Sequence, residues 1–353
     1  MKIAVITPLY AIAGVPLAQV RFARALARRG HDVDLVIGHI MEGYEFTPPS
    51  EVNCMVLESM NVRSMLLPLT TYFKTTSLDA VFSAEDHLNA IVTLAKIFSG
   101  STARISSSSR VTPFDTYSNN LFSKRWVLKG LNIFLMRKAD VLTCVSKDMV
   151  KQYQSVFKDA PHVCVYNIVS DGASAIRMQE AVDHPWLHPN DVPLIVAAGR
   201  LAPWKGFADL IDAMALARAD RQVRLLILGD GPLRDDLQQR ITTHGLVNVV
   251  QLLGYVENPL KYFARADVFV LSSHVEGLPN VLVEAMMCGC TPVATDCPTG
   301  PREVLEDGRY GYLVKPRDPR SIADGIIKAL DCRIPQEHLA AAIRPFEEDA
   351  VIA

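Results

Sequence analysis

Two glutamates on either side of a short glycine and proline run are the first residues of this sequence that could do chemistry. Glu276 and Glu284 lie in SSHVEGLPNVLVEAMMCGC, residues 272–290, where most other residues are small or apolar. A proline favours the first turn of a helix, because its missing N–H would have no partner there. The pattern predicts a helix that begins at Pro279. Glu276 then lies in the loop before it and Glu284 in its second turn, about 7 Å further along the axis.

The start of this helix is a predicted anion-binding site. Backbone N–H groups and the positive end of the helix dipole meet there, and a phosphate group suits both. Glu284 can accept hydrogen bonds from the vicinal hydroxyls of a ribose, and Glu276 can hold a polar group on whatever the phosphate carries. Alternatively, both glutamates are charges on a solvated helix start. The N–H groups belong to Gly277, Leu278, Asn280 and Val281.

A second strand end carries two cations. In GRLAPWKG, residues 199–206, Arg200 ends an apolar run and Lys205 follows before a helix. A planar guanidinium and a compact ammonium can together hold two phosphate groups. Alone, this spacing is more typical of plain surface charge. Beside a helix start at another strand end of the same sheet, it predicts a diphosphate site.

The expected chemistry is displacement of a diphosphate rather than hydrolysis of a glycosidic bond. A glycosidase needs two carboxyl groups across that bond, one of them protonated to activate a poor leaving group. A diphosphate leaves without such an acid when cations and backbone dipoles stabilise its developing charge.

Alternating strands and helices must position these residues. Such alternation predicts parallel sheets covered on both faces, the doubly wound α/β plan. The first half has predicted strands at 2–7, 32–38, 80–84, 104–108, 141–146 and 163–167. The second half has predicted strands at 194–200, 224–230, 249–254, 268–273 and 292–296. Its predicted helices cover about 206–218, 232–244 and 318–331, together with the helix at Pro279.

A proline-rich stretch separates the two halves. Residues 170–193 have mixed polarity and three prolines, which predicts a linker with at most one short helix. We therefore predict a first domain over 1–169, a linker over 170–192, a second domain over 193–335 and a C-terminal tail over 336–353. Two such domains would face each other across a cleft, with ligands beyond the carboxyl ends of the strands.

The bulk composition excludes several classes. The net charge of −2 and pI of about 6.5 disfavour a nucleic-acid binder. The opening KIAVITPLY is too short for a signal peptide and no apolar run approaches a membrane span, so we expect a cytoplasmic protein. VITPLYAIAGVP lacks the G-x-G-x-x-G turn of a nicotinamide dehydrogenase.

Five segments in the second half together resemble a known family. The Glu-x7-Glu element with its Gly-x-Pro-Asn core is the most specific part, and the resemblance covers about residues 194–331. These segments resemble the retaining GT-B glycosyltransferases of family 4. In the N-terminal half the resemblance is confined mainly to the opening strand with Gly14 and to ADVLTCVS. The segments are GRLAPWKG, LLILGDGPLRDDL, LLGYVENP, ADVFVLSSHVEGLPNVLVEAMMCGCTPVATD and GPREVLEDGRYGYLV.

Carried over by position, the resemblance implies a site for a nucleotide diphosphate sugar, with a UDP-sugar as the expected donor. Arg200 and Lys205 would hold the diphosphate and, with Glu276, form the catalytic set. Glu276 would contact sugar hydroxyls, Glu284 the ribose, and Gly14 would let the first loop approach the phosphates. The family generally needs no metal, so no cofactor is expected. The other donor-binding residues implied are Gly254 and Val256 near the base, and Gly277, Leu278, Pro279, Asn280 and Val281 near the sugar and phosphate.

The acceptor side departs from the family pattern. Many relatives carry a histidine after the fourth N-terminal strand, where this chain reads RISSSSRVTPF and offers Arg110. His87, after the preceding strand, is a second acceptor-side candidate, although a lone histidine is more often structural. The basic, aromatic-bearing segment 104–138 predicts contact with an anionic membrane surface. A helix whose apolar stripe faces the sheet is the alternative.

The resulting hypothesis is a metal-independent, retaining glycosyltransferase. It would move a hexose or N-acetylhexosamine from a nucleotide diphosphate sugar to a glycan or lipid-linked glycan in polysaccharide assembly, at the inner face of the cytoplasmic membrane. Two alternatives stay open: a non-catalytic nucleotide-sugar-binding regulatory subunit, and a sugar-nucleotide epimerase on the same fold.

Overall fold

The structure is a computed structural model that describes residues 1–11, 14–42, 46–121, 123–157, 161–187 and 192–353, without the side chain of Asp115. These residues form two compact units. Unit 1 comprises Met1–Ile168 with Val351–Ala353, and unit 2 comprises Val169–Ala350. Each unit is built on one parallel sheet.

The sheet of unit 1 has the strand order β3-β2-β1-β4-β5-β6-β7. All of its paired strands run parallel. The strands are β1 (Lys2–Tyr10), β2 (Asp32–Ile40), β3 (Asn53–Val56), β4 (Ala80–Ala84), β5 (Arg104–Ser109), β6 (Val141–Cys144) and β7 (His162–Cys164). The helices are α1 (Gly14–Arg28), α2 (Leu66–Thr75), α3 (Asp86–Ser99), α4 (Pro113–Thr116), α5 (Lys124–Met136) and α6 (Lys147–Val156).

Strand β1 shows why this sheet is covered on both faces. Successive side chains of a strand point to opposite faces. Ala4 and Ile6 belong to one apolar cluster, which includes residues of α2 and α3, and Val5 belongs to a second cluster with residues of α1. Neither face of the strand is open to water, which explains its uninterrupted apolar sequence.

The sheet of unit 2 has the strand order β10-β9-β8-β11-β12-β13. Its strands are β8 (Leu194–Ala198), β9 (Arg224–Leu228), β10 (Val250–Gly254), β11 (Val268–Leu271), β12 (Thr291–Thr295) and β13 (Tyr312–Val314). Its helices are α7 (Ser174–Gln179), α8 (Phe207–Asp220), α9 (Arg234–Thr243), α10 (Leu260–Phe263), α11 (Asn280–Met287), α12 (Pro301–Val304), α13 (Pro319–Asp331) and α14 (Gln336–Ile343); α15 (Glu348–Ile352) runs on into the last residues. Two doubly wound parallel sheets were predicted, and this prediction is confirmed.

Some elements differ from the sequence-based expectations. Strand β3 and helix α2 were not predicted, and the exposed Met55 and Val56 of β3 show why an edge strand lacks a buried apolar pattern. The stretch predicted as a linker contains α7, and Asn258 Nδ2 donates to the carbonyl of Arg177 at 2.8 Å. The domain bounds given from sequence stay a prediction.

The tail predicted over 336–353 contains helix α14 and the short helix α15. The backbone N–H of Val169 donates to the carbonyl of Phe346 at 2.9 Å, within unit 2. Ile352 packs against an apolar cluster of unit 1.

Candidate functional site

The predicted diphosphate residues follow two neighbouring strands of unit 2. Strands β8 and β11 pair in parallel, with Val268 opposite Ile195 and Phe269 opposite Val196. The strand order reverses here, because β9 lies on one side of β8 and β11 on the other. In open α/β sheets this reversal is where the loops part and ligands bind. The loop 199–206 after β8 and the loop 272–279 after β11 therefore start side by side.

Lys205 and Glu276 meet directly between these loops. Lys205 Nζ lies 2.6 Å from Glu276 Oε1, and their side chains are 18% and 9% exposed. Ser273 Oγ donates a second hydrogen bond of 2.6 Å to the same carboxylate oxygen. Burial, with a smaller contribution from the Glu276 carboxylate, raises the pKa of the Cys297 thiol to about 12. Two contacts and low exposure thus fix the Glu276 carboxylate at an edge of the sheet that little water reaches.

Three further hydrogen bonds join the same two loops. Ser272 Oγ donates to the carbonyl of Lys205 at 2.9 Å, and the His274 N–H donates to the carbonyl of Trp204 at 2.8 Å. His274 Nε2 lies 2.7 Å from Asp209 Oδ2, in the first turn of α8. His274 therefore ties the β11 loop to the helix that follows Lys205.

Gly206 makes this close approach feasible. Its φ of +65° lies in the left-handed region that favours glycine, and an added Cβ would stand 2.0 Å from the carbonyl oxygen of Ser272. Gly229 is equally confined, because a Cβ there would stand 2.0 Å from the carbonyl oxygen of Gly199. Backbone approaches backbone at these strand ends, which only glycine permits.

The start of helix α11 differs in detail from the expectation. Pro279 is the residue before the helix, with φ −78° and ψ 83°, and the helix begins at Asn280 rather than at Pro279. The Asn280 N–H is occupied, because it donates to the carbonyl of Leu278 at 3.0 Å. The N–H groups of Leu278 and Val281 donate no hydrogen bond to any described residue. The predicted set of N–H donors is therefore wrong at Asn280.

Arg200 and Glu284 occupy contrasting positions. Arg200 is exposed at the end of β8, and within the described part of the chain no residue pairs with its guanidinium. Glu284 is partly buried in the second turn of α11, as predicted, and its charge helps to raise the pKa of the Cys288 thiol, which burial raises most. Arg200 remains available to a ligand.

The loop after β10 carries the residues expected near a nucleotide base. Gly254 has φ +79° and is buried, and Val256 is partly buried. An added Cβ on Gly254 would lie 3.6 Å from Arg234 Nη1, a buried atom without a hydrogen-bond partner. Sequence reasoning missed Arg234, although its place in LLILGDGPLRDDL just after β9 was a usable signal.

Three candidate residues lie near strand ends of unit 1: Gly14, predicted to bind the donor, and His87 and Arg110, predicted on the acceptor side. Gly14 begins α1 with φ +56°, and an added Cβ there would meet nothing within 4 Å. His87 is exposed in the first turn of α3. Arg110 follows β5, donates from Nη1 to Asn167 Oδ1, and has a buried Nε without a partner. Burial lowers the pKa of Arg110 to about 10.

Helix α5 lies in the C-terminal part of the segment predicted to contact a membrane. Its largest exposed apolar side chains include Val127, Leu131 and Phe134, which are 56%, 40% and 60% exposed and recur at helical spacing. These three side chains face water, whereas Leu135 and Met136 of the same helix are buried, so the alternative of a stripe that faces the sheet stays open. Among the described residues no helix is long and apolar enough to cross a bilayer.

No three His, Cys, Asp or Glu side chains lie close enough to hold a metal ion within the ranges that the structure describes. That the protein needs no metal or other cofactor stays a prediction.

Comparisons with known protein families and proteins give consistent sequence matches. Residues 178–345 match the family model for glycosyl transferases group 1. The N-acetylgalactosamine-N,N'-diacetylbacillosaminyl-diphospho-undecaprenol 4-alpha-N-acetylgalactosaminyltransferase of Campylobacter jejuni is 31% identical over 292 residues, which cover 81% of this chain and 76% of that enzyme. The lipopolysaccharide core biosynthesis glycosyltransferase LpsE of Rhizobium meliloti is 36% identical, over 43% of this chain and 42% of its own length.

Solved structures confirm the fold class. The crystal structure of Alr3699/HepE from Anabaena, in complex with UDP and glucose, superposes with a TM-score of 0.73 at 21% identity and covers 99% of this chain and 97% of that one. The predicted GT-B class, with two Rossmann-like sheets, is thus shown. The family match, the C. jejuni relative and this fold lead to one conclusion: the chain belongs to the group 1 glycosyl transferases.

Proposed function

We propose that this protein is a retaining glycosyltransferase of family 4. It transfers a hexose or an N-acetylhexosamine from a nucleotide diphosphate sugar to a glycan or lipid-linked glycan. The observation that carries the proposal is the contact of 2.6 Å between Lys205 and Glu276, residues 71 positions apart. It joins a cation suited to phosphate and a carboxylate suited to sugar hydroxyls at one sheet edge.

The reaction proceeds by front-face displacement. The bond between the sugar C1 and the diphosphate oxygen breaks, and a bond from C1 to the acceptor oxygen forms on the same face. The departing phosphate oxygen takes the proton of the acceptor hydroxyl, so no carboxylate nucleophile is required. Arg200 and Lys205 stabilise the negative charge that develops on the diphosphate.

Each donor-site residue has a proposed partner. The N–H groups of Leu278 and Val281 bind phosphate or sugar oxygens, Glu276 accepts from sugar hydroxyls, and Glu284 accepts from the ribose. Gly254 and Val256 lie against the base, and Gly14 admits the phosphates to the loop after β1. With these cations in place we propose that catalysis needs no metal, so EDTA should leave turnover unchanged.

A UDP-sugar is the proposed donor and a lipid-linked glycan the proposed acceptor. The name of the C. jejuni relative describes a diphospho-undecaprenol acceptor, and the HepE structure contains UDP. These names support the choice of substrates to test first. They also favour surface polysaccharide or glycoconjugate assembly as the process served.

Ligand binding followed by product analysis tests the function. Calorimetric titration with UDP, GDP and ADP, and with their glucose and N-acetylglucosamine conjugates, should give the lowest Kd for a uridine compound. Bound ligand should also raise the Tm, since stability grows with RT ln(1 + [L]/Kd). Transfer from an α-linked donor to an octyl glycoside should give an α-linked product by NMR. A β-linked product would overturn the retaining mechanism.

The same assays separate the two alternatives. A regulatory subunit would bind the nucleotide sugar without transferring or hydrolysing it. An epimerase would exchange a sugar proton with solvent deuterium in the absence of acceptor. Either result would replace the transferase proposal.

Peripheral membrane contact through α5 is a second proposal, favoured by its exposed apolar stripe. Lys124 lies on the same side of the helix as that stripe, three residues before Val127, and cations near an anionic bilayer add attraction. Vesicles containing phosphatidylglycerol should co-sediment with the protein in low salt, and vesicles of phosphatidylcholine should do so less. Lys124→Glu should abolish the difference. Equal binding by wild type and this variant would refute the contact.

A further inference from the structure

Glu85 stands out in unit 1 because its backbone is strained. Its φ of 82° and ψ of 131° lie outside the regions that residues other than glycine normally adopt. Such outliers persist only where the surroundings fix them, and they cluster at functional sites. Glu85 directly follows β4, at the carboxyl edge of the sheet.

Hydrogen bonds on both sides hold Glu85 in this conformation. Its N–H donates to the carbonyl of Ser108, and its carbonyl accepts from the N–H of Asn89, both at 2.9 Å. The Asn89 side chain is itself fixed, because Nδ2 donates to the Ser108 carbonyl at 3.0 Å and Oδ1 accepts from Ser83 Oγ at 2.7 Å. The turn between β4 and α3 therefore has little freedom to relax.

The next residue, Asp86, anchors the turn from below. Its carboxylate is buried and accepts hydrogen bonds from Ser109 Oγ at 2.6 Å, from the Tyr117 hydroxyl at 2.5 Å and from the Tyr153 hydroxyl at 2.6 Å. Asn132 Nδ2 supports the cluster through the Tyr117 hydroxyl at 2.8 Å. Four different parts of unit 1 thus fix the backbone beside Glu85.

None of these hydrogen bonds involves the Glu85 side chain. Within the part of the chain that the structure describes, no residue donates a hydrogen bond to its carboxylate. Burial raises the pKa of Glu85, the Asp86 charge raises it further, and the Arg110 guanidinium opposes the rise. Arg110 follows β5, the strand that pairs with β4, and lies two residues after Ser108, whose carbonyl accepts the Glu85 N–H; no ion pair joins the two side chains. Arg110 Nε is also buried without a partner.

We propose that Glu85 contacts the acceptor, accepting hydrogen bonds from hydroxyl groups of its terminal sugar while Arg110 donates to an adjacent oxygen. This inference rests on the proposed function and deepens it. A carboxyl and a guanidinium side by side, each short of hydrogen-bond partners, match the mixed donors and acceptors of a sugar. The strain is then the cost of aiming the Glu85 side chain at the substrate.

Replacement of Glu85 by glycine separates function from folding. Glycine adopts this φ without strain, so Glu85→Gly should raise the Tm, by roughly 2 to 4 °C. Transfer to octyl glucoside, octyl galactoside or octyl N-acetylglucosaminide should fall by about 10- to 100-fold, because substrate hydroxyls lose a charged partner. The Kd for UDP should stay within about twofold.

Two further variants make the outcome unambiguous. Glu58→Gly is the matched control, since Glu58 also has a positive φ, of 51°, but is exposed; it should leave transfer unchanged. Glu85→Gln keeps the shape and one acceptor oxygen, so it should recover part of the rate lost in Glu85→Gly. Normal transfer by Glu85→Gly would overturn the inference and leave the proposed function intact.

A binding readout serves if no octyl glycoside is glycosylated. Saturation-transfer NMR should then show the same three glycosides bound to wild type and not to Glu85→Gly. Absence of binding to wild type, or equal binding to both proteins, would overturn the role of Glu85. Binding of UDP, measured separately, decides the donor half of the proposed function.

Discussion

The carboxyl ends of the strands are built differently in the two units. In unit 2 two contacts of the proposed site are already made within the protein, since Lys205 contacts Glu276 and His274 contacts Asp209, whereas Arg200 has no described partner. In unit 1, Arg110 has a buried nitrogen without a partner, and no described residue donates a hydrogen bond to the Glu85 carboxylate. A paired site keeps its geometry when empty, whereas an unpaired one obtains its missing partners from a ligand. We infer that the proposed donor site is partly preorganised by protein contacts and that the proposed acceptor site is completed by its substrate.

The largest expected effect tests the pairing in unit 2. Lys205→Ala should lower turnover by roughly 10² to 10³, by analogy with removal of one oxyanion donor. The variant also leaves Glu276 buried without its cation. Steady-state kinetics with a saturating UDP-sugar measure the effect, and Arg200→Ala should lose a similar factor. The matched control is Lys261→Ala, which breaks a looser ion pair of 3.7 Å with Glu180 in the same unit. A near-normal rate in Lys205→Ala would contradict the role of this pair.

The second effect tests how tightly backbones pack in unit 2. Gly206→Ala places a Cβ at φ +65° and 2.0 Å from the Ser272 carbonyl oxygen. Both loops must then shift, so we expect a stability loss of about 3 kcal/mol or more and a matching loss of donor binding.

Gly245→Ala is the control for this change. Gly245 has the same φ of +65°, but an added Cβ would meet nothing within 4 Å. Only the conformational cost of about 1 to 2 kcal/mol remains. Urea unfolding measures the stability loss of each variant, and the difference between the two losses is the cost of the contact with Ser272. Equal losses would show that this contact adds no cost.

A smaller effect tests the link behind Lys205. Asp209→Asn keeps an oxygen near His274 Nε2 but removes the charge, which loosens the tie between α8 and the loop after β11. We expect the KM for the donor to rise by about 3- to 10-fold with little change in kcat, since charged hydrogen bonds are worth more than neutral ones. Asp212→Asn, on the same helix and paired with Arg240 on α9, is the control and should leave the KM unchanged. A change in kcat alone for Asp209→Asn would argue against a positioning role.

The smallest expected effect concerns pH and unit 1. Because burial raises the pKa of Glu85 above its usual value, the folded state binds more protons than the unfolded state between the two pKa values. Stability must then fall as pH rises through that window. Glu85→Gln removes this contribution, so its stability relative to wild type should increase with pH above the ordinary range for glutamate. Urea midpoints of both proteins should be measured between about pH 4 and pH 8 in steps of about 0.2 pH units. Midpoints that change in parallel with pH would show that Glu85 does not titrate in this way.

Much of unit 2 was predictable because its functional residues lie close to strand ends in sequence. Short apolar runs in the sequence form the strands β8, β9, β11 and β12, and Lys205 and Glu276 lie just beyond two of these strands. Parallel strands bring their carboxyl ends to one edge, so this edge could be inferred without coordinates. The helix start was less accurate: Pro279 precedes α11 instead of beginning it, and the Asn280 N–H is used locally.

Unit 1 was less predictable because its site depends on distant contacts. His87 and Arg110 were proposed from sequence, while Glu85 was missed, although it stands two residues before His87. Glutamate carries no sequence signal for a positive φ, and nothing local indicates that Ser109, Tyr117 and Tyr153 converge on Asp86. Arg110 could be named, but not its contact with Asn167, since that partner lies 57 positions away.

The sequence by itself determined the two doubly wound sheets and the family, and it named the candidate donor-site side chains, because strand periodicity and motif spacing are local properties. Only the tertiary structure decided which of these side chains are paired, that His274 joins two loops, and that Glu85 is strained. Those features arise where segments far apart in the chain compete for the same hydrogen bonds and the same space, and no local pattern records the outcome of that competition.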